Sequence, residues 1–191
     1  MKNVVIVGGG AAGFFCAISL AELSAENKII ILESGKKTLR KVKVSGGGRC
    51  NITHDCFDPK LLSTHYPRGQ KELIGPFFKW QPKDMIHWIE ANGVPTKIEK
   101  DGRVFPRSNS SQSVIDCLEN IARKKQIEIR KETPVRSFTR NESNKQWDLE
   151  LENGNLLNAD CICIASGSIK GSRLVDSIEK LGHSVNLPIP S

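Results

Sequence analysis

The chain has 191 residues, a net charge of +7 and an apolar fraction of 38%, which is ordinary for a soluble globular protein able to bury a core. No apolar run is long enough to cross a bilayer, and the glycines at 8–10 interrupt the N-terminal apolar stretch, which argues against a signal peptide. The basic residues are scattered apart from one cluster, which consists of Lys36, Lys37, Arg40, Lys41 and Lys43. Few aromatic residues accompany this cluster, which favours a solvated face or a site for an anionic cofactor over nucleic-acid binding.

The first elements predict a strand–helix–strand unit. Residues 3–7 (NVVIV) form a continuous β-branched run, typical of a buried strand. GGGAAG then opens an apolar helix that extends to about Ser24, and residues 28–32 (KIIIL) predict a second buried strand closed by Glu33. This arrangement is the opening half of a doubly wound fold.

The middle of the chain predicts helices with little sheet. A basic, glycine-rich connection covers 34–51 and contains a short strand-like piece at 42–44. Helical spacing of apolar residues predicts helices over 82–92 and 111–125, with a short strand or turn at 102–106 between them.

Strands dominate the last third. Residues 126–130 predict another parallel strand, and three short alternating runs at 135–139, 147–151 and 156–157 predict an antiparallel meander. Residues 159–165 (ADCICIA) return to a buried strand. The fold class is therefore α/β, a Rossmann-like doubly wound domain whose mostly parallel sheet carries an antiparallel β-meander and a helical insertion.

A glycine fingerprint joins the first strand to the first helix. In GxGxxG, Gly8 makes the tight turn, Gly10 lets a pyrophosphate approach the backbone, and Gly13 lets the helix pack against the strand. The helix N-terminus attracts an anion, and Glu33 can accept hydrogen bonds from a ribose 2′-hydroxyl. A carboxylate at that position would repel a 2′-phosphate, so the site suits FAD or NAD rather than NADP. The candidate residues are Gly8, Gly10, Ala11, Ala12, Gly13 and Glu33; the alternative is a glycine-rich turn without a ligand.

A second glycine triplet lies in SGGGRCN, residues 45–51. Three successive glycines can present a row of backbone N–H groups to anionic or carbonyl oxygens. Arg49 adds a fixed charge, and Asn51 adds a donor and an acceptor. A second such loop so close to the first predicts a longer ligand that carries a redox ring, which favours a flavin over nicotinamide alone.

The stretch RKVKVSGGGRCNITH, together with GRVFP at 102–106 and LGH at 181–183, resembles the BaiN/YhiN-like family of FAD-dependent oxidoreductases, which includes aminoacetone-oxidase-like proteins. The family belongs to the two-dinucleotide-binding flavoproteins. The resemblance implies contacts to the pyrophosphate, the isoalloxazine, the adenine and an Ala-Thr-Gly turn at a strand end. The residues concerned are Arg40, Lys41, Gly47, Gly48, Arg49, Cys50, Asn51, Val135, Ala165, Ser166 and Gly167.

This chain departs from the family pattern in sequence and in length. Leu39 stands where a glycine is usual, and Ser166 and Ser168 stand where Thr and Gly are usual. Family members are longer and carry a substrate domain after the LGH segment. We therefore expect one FAD-binding domain over 1–191, divided into the dinucleotide unit and second glycine loop (1–56), a mainly helical insertion (57–125), the strand, meander and return strand (126–170), and the start of a connection to an absent substrate domain (171–191).

The resemblance implies an FAD-dependent oxidoreductase that passes hydride through flavin N5, with NAD(P)H as donor in the complete protein and a small molecule as substrate. A complementary C-terminal half is a candidate partner. No residue has a sequence-level claim to be a catalytic acid or base. A truncated, non-catalytic dinucleotide-binding fragment is the alternative, and nucleic-acid binding rests only on the charge.

Six cysteines without a disulfide-like spacing predict reduced thiols and a cytoplasmic location. Cys50 and Cys56 could form a redox dithiol beside a flavin, but the segment between them is not helical in pattern. Cys50, His54 and Cys56 lack a fourth zinc ligand at normal spacing, so we expect no metal site.

Overall fold

The structure is a computed structural model that describes residues 1–168 and 173–186. Its helices and strands alternate first and then give way to successive strands. In chain order they are β1 (Asn3–Val7), α1 (Ala11–Leu23), β2 (Lys28–Leu32), α2 (Arg40–Val44), β3 (Thr53–His54), α3 (Pro59–Thr64), α4 (Gln70–Lys79), α5 (Pro82–Ala91), β4 (Thr96–Ile98), β5 (Arg103–Pro106), α6 (Ser111–Lys124), β6 (Glu128–Arg130), β7 (Val135–Asn141), β8 (Gln146–Leu151), β9 (Leu156–Ala159), β10 (Cys161–Ile164) and α7 (Leu174–Lys180).

The chain divides into two compact units. Of the described residues, the first unit contains 1–40, 118–168 and 173–186, and the second unit contains 41–117. Each unit has sheet structure of its own, so each is described separately.

A four-stranded parallel sheet forms the centre of the first unit, in the order β10-β1-β2-β6. Because its central strands are covered on both faces, they are built from continuous β-branched residues. Val5, Ile6, Ile30 and Ile31 are completely buried, and α1 adds the buried ring of Phe14.

The antiparallel meander β7-β8-β9 completes the core of the first unit. Alternate residues of the meander face the parallel sheet, so that Phe138 and Leu149 join Val5, Val7 and Ile30 in one hydrophobic cluster. A register shift between Val135 and Ser137 interrupts the pairing of β7 with β8.

In the second unit, β3, β5 and β4 form a small antiparallel sheet. Val104 and Phe105 of β5 are completely buried, as is Ile89 of α5. α5 begins with Pro82 at its first turn, and the Asp84 carboxylate accepts a hydrogen bond of 2.9 Å from the Gln81 backbone N–H, which caps the helix.

The parallel sheet, the meander and the helical segment confirm the predicted α/β fold class, with two local corrections. Residues 42–44 belong to α2 and not to a strand, since no described strand pairs with them and the alternation KVKV buries only Val42. The run 159–165 is not one buried strand. Ala159 ends β9, Asp160 interrupts, and β10 is an edge strand, which explains why Cys161 is exposed.

In residues 1–168 and 173–186, the helices are all too short or too polar to span a membrane. All six cysteines lie within these ranges, and no disulfide joins any two of them.

Candidate dinucleotide-binding site

The carboxyl ends of three of the four parallel strands, β1, β2 and β10, lead directly into candidate site residues of the first unit. Gly8 follows β1, Glu33 follows β2, Lys131 follows β6 and Ala165 follows β10. Parallel strands end at one edge of a sheet, and ligands of open α/β sheets bind outside that edge. The topology therefore gathers these segments where a dinucleotide would lie.

The three fingerprint glycines differ in their surroundings. A Cβ at Gly8, where φ is +118°, would collide with the carbonyl of Ala165, and a Cβ at Gly13 would collide with the carbonyl oxygen of Gly8. A Cβ at Gly10 would meet nothing within 4 Å. Gly8 and Gly13 are thus required for packing, whereas Gly10 opens onto free space, as an approaching pyrophosphate needs.

The N-terminus of α1 is open to an anion. Gly10 is its N-cap and provides no side chain, and no acidic residue lies in the first turn. Ala11 and Ala12 are exposed while Gly13 is buried. The first N–H groups of a helix have no acceptor within the helix and carry partial positive charge, so they attract a phosphate.

Glu33 ties the fingerprint turn to the next loop. Its Oε2 accepts a hydrogen bond of 2.9 Å from the Gly9 N–H, and its Oε1 accepts one of 2.7 Å from the Gly35 N–H. An ionised carboxylate has about four lone-pair positions, so capacity remains for a ribose hydroxyl. The sequence fingerprint predicted the ribose role but did not indicate the contact with Gly9, which depends on how the two loops fold.

The adenine-side candidate Val135 lies just beyond a segment bonded to Glu33. The Thr133 N–H donates to the Glu33 carbonyl oxygen over 2.9 Å, and the Glu132 N–H donates to the Gly35 carbonyl over 3.1 Å. Val135 itself is half-buried at the start of β7. This brings the backbone of the predicted adenine contact to the same strand edge as Glu33.

The return strand β10 leads into the turn Ala165-Ser166-Gly167. The Ala165 N–H donates to the Val7 carbonyl over 2.8 Å, and Gly167 adopts a φ of +77°. The Ser166 hydroxyl oxygen is buried and has no hydrogen-bond partner within the part of the chain that the structure describes. Buried hydroxyls normally have a partner, so this orphaned group next to the turn fits a site that a further molecule completes.

Leu39 contacts the fingerprint turn, and Arg40 lies near Gly35 in the loop after β2. The Leu39 N–H donates to the Gly9 carbonyl over 2.8 Å, and Leu39 adopts a left-handed φ of +55° although it is not a glycine. Arg40 is exposed, with its Nη1 3.9 Å from the Cβ position built at Gly35. Lys41, assigned to the second unit, is also exposed.

In the second unit, SGGGRCN forms a tight left-handed turn. Gly46, Gly47 and Gly48 have φ values of 55°, 68° and 85°, and Cys50 has 63°. The Cys50 N–H closes the turn by donating to the Ser45 carbonyl over 3.0 Å. Runs of left-handed residues turn the backbone sharply, which explains the glycine triplet.

The segment GRVFP (residues 102–106) packs against this turn. A Cβ at Gly46 would lie 2.9 Å from the Phe105 ring, and the Ile52 N–H donates to the Val104 carbonyl over 2.8 Å. The Asn51 amide, in its hydrogen-bonded orientation, donates to the Val104 and Thr53 carbonyl oxygens. Asn51 therefore holds the loop, a role that the sequence did not indicate.

Arg49 is held by two residues that the sequence analysis missed. Its guanidinium carbon lies 4.0 Å from the centroid of the Phe105 ring, and its Nη1 lies 2.6 Å from Glu99 Oε1. Glu99 has no motif around it, so only the pairing of β4 with β5 could have indicated its place.

The geometry does not favour either alternative role of Cys50, as one thiol of a redox dithiol or as a zinc ligand. Burial raises the pKa of the Cys50 thiol, partly opposed by the Ser45 hydroxyl, so the thiolate needed for redox exchange is disfavoured. Over the described ranges, three or more His, Cys, Asp or Glu side chains nowhere gather closely enough to hold a metal ion.

The parallel sheet, the fingerprint turn and the acidic residue after β2 define a Rossmann-type dinucleotide-binding protein. The sequence matches the HI0933-like protein Rossmann domain over residues 2–184, and the chain belongs to that family. This bears out the resemblance read from SGGGRCN and its companion motifs.

Two curated relatives are similar to this chain in sequence. The chain is 29% identical over 167 residues to the ribosomal RNA dihydrouridine synthase of Escherichia coli (strain K12), covering 87% of this chain and 40% of that protein. It is 26% identical over 198 residues to the 3-dehydro-bile acid delta(4,6)-reductase of Clostridium scindens, covering 100% of this chain and 46% of that protein. The chain therefore spans less than half the length of either relative.

Among solved structures, Thermovibrio ammonificans THI4 aligns with a TM-score of 0.62 at 13% identity, over 97% of this chain and 64% of that one. FqzB aligns with a TM-score of 0.52 at 20% identity, over 96% and 39%. At these identities the likeness shows the shared fold alone.

Proposed function

We propose that this chain is the FAD-binding part of an oxidoreductase. The observation that carries the proposal is the fingerprint turn, where a backbone open at Gly10 meets an uncapped helix N-terminus, with Glu33 beside it. The second glycine loop in the sequence favours a flavin as the redox group of the dinucleotide, and the relative from Clostridium scindens, which is named a reductase, supports redox chemistry. The assignment of all the candidate site residues to FAD remains part of this proposal.

The chain's own residues would bind and orient the cofactor. The N–H groups of Ala11 and Ala12 would face the pyrophosphate, and Glu33 would accept from the adenosine ribose. When bound, the flavin supplies hydride transfer at N5. We assign no acid or base to the reaction, and we propose NAD(P)H as the hydride donor and a cytoplasmic location, the latter supported by six cysteines without a disulfide.

The two curated relatives share a chemical theme that suggests the class of acceptor. Dihydrouridine is uridine whose C5=C6 bond has been reduced, and that bond is conjugated with the C4 carbonyl. A delta(4,6)-reductase acting on a 3-dehydro steroid likewise reduces carbon–carbon double bonds conjugated with a carbonyl. We therefore propose an acceptor with a carbon–carbon double bond conjugated to a carbonyl.

An anaerobic reduction assay tests this function. The chain is loaded with FAD, mixed with NADH or NADPH, and the flavin absorbance is followed before and after addition of 2-cyclohexenone or a uridine-containing RNA. We expect bleaching by a nicotinamide and recovery of the flavin colour with one acceptor. A chain that binds no FAD would contradict the proposal, and binding of FAD without bleaching would select the non-catalytic alternative for this chain alone.

RNA is the second candidate acceptor, and one observation favours it. The relative from Escherichia coli is named for ribosomal RNA and matches 87% of this chain. Recovery of the colour with RNA but not with 2-cyclohexenone would select this candidate. RNA affinity should then fall steeply with salt, because phosphate contacts release counterions.

A further inference from the structure

The second unit carries exposed aromatic side chains on one segment, residues 57–83, which we call the α3–α4 surface. α3 and α4 pack against each other within it. Phe78 is 63% exposed, and the other exposed rings of the segment are Phe57, Tyr66 and Trp80. Every exposed Phe, Tyr or Trp side chain that the structure describes lies in this segment. Rings of this size normally contribute to a core, so their concentration on one surface indicates a contact with another molecule.

The same segment carries positive charge that is not compensated. It contains five cations and two carboxylates, which leaves a net charge of +3 with the histidine neutral. The five cations are Lys60, Arg68, Lys71, Lys79 and Lys83. All are exposed, and none forms an ion pair with a residue in the ranges 1–168 and 173–186. Asp58, one of the two carboxylates, already caps α3 by accepting a hydrogen bond of 2.7 Å from the Leu61 N–H.

Cations of the glycine loop and of β5 are paired instead. Arg49 lies 2.6 Å from a Glu99 carboxylate oxygen. Arg103 lies 2.7 Å from a carboxylate oxygen of Asp101. Within the second unit, the α3–α4 surface therefore offers free positive charge to a polyanion, whereas these two arginines already have acidic partners.

α4 places a cation and a ring on the same face. Lys71 and Phe78 are seven positions apart in this helix, which is two turns or about 10 Å along its axis. Gly75 lies between them on that face, and a Cβ there would meet nothing within 4 Å. The backbone between the cation and the ring is thus open to an approaching group.

This mixed face favours single-stranded nucleic acid over a membrane as the partner. A helix that lies on a membrane separates a continuous apolar face from a charged face. In α4 the apolar Leu73 and Phe77 are half-buried, and Phe77 packs against Tyr66 with ring centroids 5.3 Å apart. The exposed face instead combines Lys71 with Phe78. Proteins that bind single strands use this combination, because cations contact the phosphates while bases stack on the rings.

We propose that the α3–α4 surface binds a single-stranded segment of RNA, with Phe78 as a stacking platform and Lys71 as a phosphate contact. RNA is the second candidate acceptor of the proposed function, and the inference rests on that function in the choice of RNA as the partner. If about three to five of the cations contact phosphates, the logarithm of the affinity falls against the logarithm of the salt concentration with a slope of about −2 to −3.5.

Fluorescence anisotropy with a labelled, uridine-containing RNA of about 12 nucleotides tests this inference on the full chain without FAD. Phe78→Ala should weaken binding by about 5- to 150-fold, because one base loses its stacking partner. Lys71→Gln should weaken binding and reduce the magnitude of the salt slope by about 0.7, since one phosphate contact is lost. Both side chains are exposed, so we expect the Tm of each variant to equal that of the wild type.

The matched controls remove comparable side chains from the first unit. Leu156→Ala removes an exposed apolar side chain of β9, and Lys124→Gln removes an exposed cation of α6. Both should leave the RNA affinity and its salt slope unchanged. Equal losses in the controls, or unchanged affinity in Phe78→Ala and Lys71→Gln, would overturn the proposal. Binding of the wild type to phosphatidylserine vesicles but not to RNA would assign the surface to a membrane and also overturn it.

Retention of FAD after desalting distinguishes this inference from the proposed function. A chain that retains FAD but does not bind RNA would refute the RNA surface and leave the FAD proposal in place. A chain that binds RNA through Phe78 but retains no FAD would refute the FAD proposal and support the RNA surface.

Discussion

Leu39 is the residue at which sequence and backbone conflict most clearly. Its φ is +55°, a region that costs a non-glycine residue about 1–2 kcal/mol, yet its side chain is only 1% exposed. The family that the chain resembles usually has a glycine there, and the left-handed backbone supplies the reason. Burial of the leucine side chain offsets the strain, since a buried leucine contributes about 2–5 kcal/mol relative to alanine.

This conflict predicts that a glycine at position 39 gives a more stable protein than an alanine, which is the reverse of the usual order. At an ordinary buried site, glycine is less stable than alanine by about 0.5–1 kcal/mol. At Leu39 we expect Leu39→Gly to be more stable than Leu39→Ala by about 1 kcal/mol, because only glycine adopts positive φ without cost. Urea unfolding of both variants measures the difference.

The matched control is Leu149 of β8, which is fully buried and does not have a positive φ. There, Leu149→Gly should be less stable than Leu149→Ala. The same order at both positions would show that Leu39 is not left-handed in solution.

At the scale of elements, α1 and β10 meet through two thiols in the first unit. Burial, and then the neighbouring Cys163 thiol, raise the pKa of Cys16 from 9.0 to about 11. The folded state therefore keeps Cys16 protonated at pH values where the unfolded chain has lost that proton. Because the unfolded state then binds fewer protons, the free energy of unfolding must fall as pH rises from about 9 to about 11.

We expect Cys16→Ala to flatten this part of the stability profile. Urea unfolding at pH 8, 9, 10 and 11 would show the wild type losing stability over that interval and the variant losing less. Cys161→Ala is the control, since Cys161 is exposed at the start of β10 and should leave the profile unchanged. Identical slopes for wild type and Cys16→Ala would contradict the raised pKa of the Cys16 thiol.

For the whole molecule, local patterns predicted most of the fold. The β-branched runs of β1 and β2 and the fingerprint between them are local signals, and the structure confirms the parallel sheet that they indicated. The meander followed from alternation and turn residues. The short strand β6 was also recovered, with its parallel pairing to β2.

What the sequence could not predict depends on contacts between distant segments. KVKV alternates like a strand but lies in α2, because strand formation needs a partner that the local pattern does not reveal. The contact of Glu33 with Gly9, and the contacts of Arg49 with Glu99 and Phe105, join residues that are 24, 50 and 56 positions apart. Cys161 looked buried because its strand is apolar, but its exposure depends on its place at the sheet edge.

The central claim is that this chain binds FAD through its fingerprint turn. The most direct test incubates the purified chain with excess FAD, removes free ligand by desalting and records the visible absorption spectrum, with Gly10→Val as the control. Since a side chain at Gly10 meets open space, the variant should fold normally, as its Tm would show, but block the pyrophosphate. We predict retained flavin absorbance in the wild type and none in Gly10→Val. A colourless wild type, or equal retention by both proteins, would contradict the claim.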